Sequence, residues 1–212
     1  MTTPPTPRPL LIDMDGTLVD STAVVEQTWT DFCARHGLDP AEVIAYAHGR
    51  PSTDTTHHFL ADPGLAQREN DRIVAHETHV TEGITAMPGA VDFIAALPRD
   101  TWALVTSANR ELATNRLGVA GIPLPDACVF SEDITRGKPD PQPYLLAAER
   151  LGVEIADCVV LEDSDAGIRS GMASGATTVV VGALDRFDDQ LLRIPDFHRV
   201  TPAVLFARLA NR

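Results

Sequence analysis

The stretch Leu10-Leu11-Ile12-Asp13-Met14-Asp15-Gly16-Thr17 decides how this chain is read. An apolar run ends in two carboxylates two residues apart, followed at once by a glycine and a threonine. Alternate side chains of a strand share a face, so the spacing places Asp13 and Asp15 on one side. Gly16 turns the chain there. Two carboxylates then stand at the C-terminal end of a strand, where open α/β sheets build their ligand sites. One suits attack or the holding of a cation, the other the movement of a proton. A calcium loop also opens with Asp-x-Asp. Counted from Asp13, however, its sixth position is Leu18 instead of glycine and its twelfth Val24 instead of glutamate, which excludes that reading. A surface turn rich in Asp and Gly is the other alternative.

Three later segments bear on the choice. Trp102-Ala103-Leu104-Val105-Thr106-Ser107-Ala108-Asn109 is an apolar strand ending in hydroxyls. Arg136-Gly137-Lys138-Pro139-Asp140-Pro141 holds a lysine before a proline, which biases that lysine to an extended backbone. Cys158-Val159-Val160-Leu161-Glu162-Asp163-Ser164-Asp165-Ala166-Gly167 is an apolar strand ending in acids. The spacing predicts strands over 10–13, 102–106, 128–130, 157–161 and 177–181. Helical patterns separate most of them, including 139–151 and 164–174, with Gly175 as the stop of the latter. Alternating strands and helices imply an α/β fold, a Rossmann-like parallel sheet with helices on both faces.

Residues 21–87 break this rhythm. Val25, Trp29, Phe32 and Cys33 recur at helical spacing and Gly37 ends the run. Further helical stretches are expected at 40–47, 53–60 and 66–80, with no strand among them. The block reads as an all-helical cap, 21–87, inserted into a core formed by 9–20 and 88–212. It would sit over the acidic end of the sheet as a lid, with Pro88-Gly89 as the return hinge and Trp29 in its core. Residues 1–8, proline-rich, read as a disordered lead-in.

The four motifs, in this order over nearly the whole chain, resemble the haloacid dehalogenase superfamily of phosphotransferases. Within it the chain is most similar to the sugar-phosphate and polyol-phosphate phosphatases, with β-phosphoglucomutase a near relative. The resemblance implies a helical cap after the first motif. It also implies Mg²⁺ and an aspartyl-phosphate formed on Asp13. Asp15 would protonate the leaving alkoxide, activate the hydrolytic water, and bind the metal through its carbonyl. Asp163 would be a further ligand, and Glu162 either a ligand or a support for one. Helix capping is the competing role for these two acids. Ser107, Ala108 and Asn109 would hold phosphoryl oxygens, with helix capping again the competitor for Ser107 and Asn109. Thr106 should point the other way. Lys138 would neutralise nucleophile and phosphate together. In the cap, His48-Gly49-Arg50 matches the substrate-specificity loop, where Arg50 would grip substrate and His48 bond a sugar oxygen. An exposed charged loop explains those three residues equally well.

The same resemblance separates the branches. Dehalogenases lack the second aspartate of the first motif, and Asp15 is present. Mutases carry a histidine on the first cap helix, an arginine in the specificity loop and Val after Asp-x-Asp-Gly. Here the residues are Val25, Ser52 and Thr17, which favours net hydrolysis over a phosphosugar mutase. A non-catalytic sugar-phosphate sensor is disfavoured because no motif residue is missing.

Composition agrees with a small enzyme. The chain has 212 residues, 44% of them hydrophobic, enough for one core plus a small insert. A formal net charge of -13 disfavours nucleic acid and anionic membranes as partners. It also means that an anionic substrate must be drawn by a few local cations, namely Mg²⁺, Lys138 and Arg50. No apolar stretch reaches the ~18 residues of a membrane span, and the N-terminus lacks a secretory apolar region. Cys33, Cys128 and Cys158 are few and scattered, as expected of reduced thiols in a cytoplasmic protein. His76-x-x-His79 lacks the accompanying ligands of a zinc site and reads as exposed helix. A monomer is the default expectation.

Overall fold

The computed structural model describes residues 7–211. Six parallel strands form the central sheet in the order β5-β4-β1-β6-β7-β8. They are β1 (Leu10–Ile12), β4 (Trp102–Val105), β5 (Ala127–Val129), β6 (Val159–Glu162), β7 (Thr177–Val181) and β8 (Leu192–Ile194). The alternation of the sequence becomes two cores. Leu10, Ile12, Trp102, Leu104, Val159, Leu161, Val179 and Val181 pack on one face. They meet Phe93 of α5 (Ala90–Ala95), Leu117 of α6 (Arg110–Ala120) and Leu205 of α9 (Pro202–Ala210). Leu11, Ala103, Val105, Val129 and Val160 pack on the other, against Tyr144, Ala147 and Ala148 of α7 (Gln142–Leu151). Ile168 of α8 (Asp165–Ser174) adds a smaller cluster with Val180 and Phe187. A parallel sheet buried on both faces calls for continuous apolar strands, which these are.

Between β1 and β4 the chain leaves the sheet. Four helices follow one another: α1 (Thr22–His36), α2 (Pro40–Ala47), α3 (Ser52–Phe59) and α4 (Pro63–His79). Trp29, Phe32, Cys33, Val43, Ala47 and Ile73 give them an apolar cluster of their own. Gly37 ends α1 in the left-handed conformation, as its position predicts. Asp39 and Asp62 cap α2 and α4, each with a proline in the first turn.

Some elements differ from the expectation. β2 (Val19–Asp20) and β3 (Thr85–Ala86) pair antiparallel at the base of the helical segment, where no strand was expected. Two-residue strands are too short to show a period. β8 was likewise not anticipated, because Leu192–Ile194 lies in a polar neighbourhood. The helix expected from 139 begins at Gln142, since the run of prolines delays its first turn. Residues 1–6 of the expected lead-in lie outside the described residues. Arg8, at its end, is anchored instead of disordered: its guanidinium donates to the carbonyls of Ala156, Asp157 and Cys158 and to Thr177 Oγ1.

Pro88-Gly89 marks the return to the sheet. The Pro88 carbonyl accepts from Phe197 N–H at 3.0 Å. Gly89 has φ +79°, and a Cβ there would stand 2.4 Å from the Phe197 carbonyl carbon. The left-handed backbone alone disfavours a side chain by ~1–2 kcal/mol, and the backbone clash adds to it. Gly89→Ala is therefore expected to lower unfolding free energy by at least about 2 kcal/mol in urea titration. A change under about 0.5 kcal/mol would show that this junction tolerates a side chain.

Candidate active site

Three strand ends meet where the strand order reverses. Ile12 pairs with Leu104 of β4 and Leu161 of β6. One residue further, Asp13, Val105 and Glu162 form a row across the sheet. Lys138 closes that row. Its Nζ donates to Asp13 Oδ1 at 2.5 Å, Glu162 Oε1 at 2.6 Å and the Val105 carbonyl at 3.1 Å. All three ammonium protons are used, and the residue is 1% exposed. Burial works against its charge, but Asp13 and Glu162 outweigh burial and hold its pKa above the usual lysine value.

Glu162 is fully buried. Oε1 accepts from Lys138 and from Tyr144 Oη at 2.8 Å. Oε2 accepts from the Asp163 and Ser164 N–H groups and from Ser164 Oγ. Those five donors meet about four lone-pair sites, so the carboxylate is saturated by protein. A Cβ on Gly167 would fall 1.7 Å from Oε1, so glycine makes the room for this acid. Ser164 is the side-chain cap of α8, accepting from Gly167 N–H.

Asp163 lies against Gly16 and Thr17. Thr17 Oγ1 donates to Asp163 Oδ1 at 3.2 Å. Gly16 has φ +81°, and a Cβ there would stand 2.0 Å from Asp163 Oδ2. Carboxylate oxygens of Asp13, Glu162 and Asp163 lie within 4.8 Å of one another. Three carboxylates, those of Asp13 and Glu162 buried and that of Asp163 half-buried, face one ammonium. Burial first, and then the Glu162 charge, push Asp13 up to about 8 and Asp163 well above the usual carboxylate range. The pair lacks positive charge, and its donors are all oxygens. That donor set fits a hard divalent cation.

Asp15 is turned elsewhere. Its Oδ1 accepts from Ser21 Oγ at 2.6 Å and Arg116 Nη1 at 2.7 Å. Its carboxylate does not belong to the cluster around Asp13, although both line one cavity of about 610 Å³. That cavity runs from the strand ends to α1, α3 and α4 and includes Trp29, Ser52, Thr53 and Asn70.

His48, Gly49 and Arg50, between α2 and α3, also line it. Ser107 Oγ donates to the Gly49 carbonyl at 2.9 Å, joining that loop to the end of β4. Gly49 has φ +76°, and a Cβ there would meet Ser164 Oγ at 2.1 Å. Arg50 lies over the Tyr46 ring at 4.5 Å. Asn109 is the cap of α6, accepting from Leu112 N–H, which is the competing role raised from its sequence. The Ala108 N–H is engaged by Thr106 Oγ1 at 3.1 Å. Thr106 itself, expected to face away, is buried and reaches the cavity wall.

Sequence reasoning passed over Tyr144, Ser21, Glu77 and Arg116. Arg116 carried a readable signal: a cation among Leu112, Ala113, Leu117 and Ala120 on the buried face of α6. Glu77 carried the same signal on α4, one turn beyond Ile73.

Residues 9–175 match the family model of the haloacid dehalogenase-like hydrolases. The chain belongs to that family. This haloacid dehalogenase-like hydrolase is 43% identical over 177 residues to hexitol phosphatase A of Escherichia coli K12, covering 82% of each chain. It is 31% identical over 205 residues to 2-deoxyglucose-6-phosphate phosphatase 2 of Saccharomyces cerevisiae, covering 86% of this chain and 82% of that one. The fold matches β-phosphoglucomutase from Clostridium difficile with a TM-score of 0.79 at 17% identity, over 98% of this chain and 100% of that one. Among the described residues no helix is long and apolar enough to cross a membrane.

The acid cluster has a consequence for metal-free protein. The folded pKa of Asp13, about 8, lies above its unfolded value of 3.8. The folded state therefore holds the extra proton, and stability falls as pH rises from 3.8 towards 8. In EDTA, Asp13→Asn is expected to gain melting temperature relative to the wild type progressively between those limits. A difference that is flat with pH, or that shrinks, would contradict the assignment.

Proposed function

We propose that this hydrolase is a Mg²⁺-dependent phosphatase of small sugar or polyol phosphates that works through an aspartyl-phosphate. The observation that carries the reading is the pairing of two differently held carboxylates on one cavity: Asp13 fixed by buried Lys138, Asp15 held from its side by Ser21 and Arg116.

Asp13 is the nucleophile. Lys138 occupies its Oδ1, and no hydrogen bond among the described residues reaches Oδ2, which serves as the attacking oxygen. Asp15 gives a proton to the leaving alkoxide as the ester P–O bond breaks. It then takes a proton from the water that attacks phosphorus, and Asp13 leaves as a carboxylate. Asp13, Asp163 and the Asp15 carbonyl would hold Mg²⁺, which supplies positive charge to the phosphoryl oxygens when bound. Glu162, saturated by five protein donors, positions Lys138 and the strand end instead of ligating the metal. Arg50 contributes guanidinium donors for phosphate and substrate, and Ser107 contributes its backbone N–H, its hydroxyl proton being given to the Gly49 carbonyl.

Residues 21–87 act as a cap that excludes water from this exchange. The link between Ser107 and Gly49 supports a seated position of the cap over the site. Ser52, Thr53, Asn70 and His48 offer hydroxyl, amide and ring donors to a polyhydroxylated substrate. The relatives named for hexitol and 2-deoxyglucose-6-phosphate substrates support that class. Val25 and Ser52 line the cavity without charge, so neither helps to retain a second phosphate as a mutase must.

Phosphate release from hexitol, hexose and glycerol phosphates is expected with Mg²⁺ and lost in EDTA. Release unaffected by EDTA, or none from any ester, would overturn the reading. Asp13→Asn is expected to lower kcat by on the order of 10³-fold or more, and Lys138→Ala by roughly 10²-fold, with the Asn variant still folded. Near-wild-type turnover in the folded Asp13→Asn variant excludes the covalent route.

A further inference from the structure

Arg116 is 3% exposed, and its guanidinium sits between two carboxylates from different parts of the chain. Nη1 donates to Asp15 Oδ1 at 2.7 Å, and Nη2 donates to Glu77 Oε2 at 2.9 Å. The buried Nε–H has no partner among the described residues, so these two acids alone hold the fork. Glu77 belongs to α4 of the helical segment, and Arg116 to α6 beside the sheet. A neighbouring contact, Asn115 Nδ2 to the Thr78 carbonyl at 2.9 Å, fastens the same two helices.

We propose that Arg116 is a positioning residue for proton transfer: it fixes which oxygen of Asp15 faces the substrate, and Glu77 makes that aim depend on the seating of α4. The inference rests on the phosphatase reading above. A carboxylic acid transfers a proton only if the oxygen bearing it points at the leaving atom. Both donors that reach Asp15, Ser21 Oγ and Arg116 Nη1, go to Oδ1. Oδ2 accepts no hydrogen bond among the described residues, and the side chain, which lines the cavity, is 30% exposed. As the ester P–O bond breaks and the bond from Asp13 to phosphorus forms, the proton passes from Oδ2 to the leaving oxygen, and Asp15 becomes a carboxylate.

Glu77 explains why a buried cation is tolerated beside an acid. A guanidinium desolvated next to Asp15 alone would bind it as a fixed ion pair. The second carboxylate, 2.9 Å from Nη2, shares that charge. Glu77 also ties the arrangement to the cap: if α4 moves away, the fork loses one of its two partners and Asp15 loses its aim. Proton transfer is thereby confined to the water-excluded state.

The test uses leaving groups. Expulsion of p-nitrophenolate needs no proton, whereas expulsion of an alkoxide does. The value of kcat/KM reports the step that breaks the ester bond. With Mg²⁺ present, the wild type is expected to hydrolyse both glycerol phosphate and p-nitrophenyl phosphate. Arg116→Gln is expected to lose ~10- to 100-fold in kcat/KM on glycerol phosphate and less than about threefold on the aryl ester. An equal loss on both esters, or no loss on either, overturns the positioning role. If Arg116→Gln fails to melt cooperatively, Glu77→Gln decides: the alkyl-to-aryl ratio falls if the inference holds and stays at the wild-type value if it does not. A wild type inert on both esters overturns the phosphatase reading itself, and the inference with it.

Discussion

The rest of the site depends on one constraint: a lysine and a glutamate that are both wholly buried must satisfy each other. Moving an ion out of water costs several kcal/mol even after relaxation, and only close partners offset it. Lys138 therefore takes Asp13, Glu162 and the Val105 carbonyl at once, and Glu162 takes every donor around it. Neighbouring residues follow from this. Tyr144 is kept as a neutral phenol by burial and donates to Glu162. Gly167 is small because the carboxylate needs the space. The strand ends β1, β4 and β6 are brought to one level by the same row of contacts.

What this cluster leaves unsatisfied is as informative as what it satisfies. Asp13 and Asp163 remain short of positive charge, and burial shifts both toward the protonated form. A protein with a formal charge of -13 has little general attraction for an anion. The cations near the cavity are few: Arg50 and Arg116 line it among the acids, and Lys138 is buried behind Asp13. The low-dielectric surroundings that make the cluster expensive also make each charge in it effective.

Much of this was legible in the chain. Apolar strands ending in Asp13, Thr106 and Glu162 announced a parallel sheet with its site at their C-terminal ends, because a doubly covered strand has few other compositions. Helical spacing, with Gly37 as the stop of the first, placed α1, α2 and α4 within a few residues. Short elements were not legible: β2, β3 and β8 carry no period. Nor were contacts that depend on tertiary packing, such as Arg116 reaching Asp15 across 101 positions in sequence. The roles at the end of β4 also exceeded the pattern. Asn109 caps α6, while Ser107 binds the Gly49 carbonyl, a partner that only the return of the α2–α3 loop supplies. Strand alternation misplaced Thr106 because the strand ends at Val105, and alternation stops with it.

The proposed transfer of phosphate to Asp13 is directly measurable. Enzyme turning over a saturating phosphate ester with Mg²⁺ can be quenched in acid, digested and mapped by mass spectrometry. One phosphoryl group on the peptide carrying Asp13, absent from Asp13→Asn, is the expected result. Active enzyme that carries no label during turnover, or label on another residue, would contradict it.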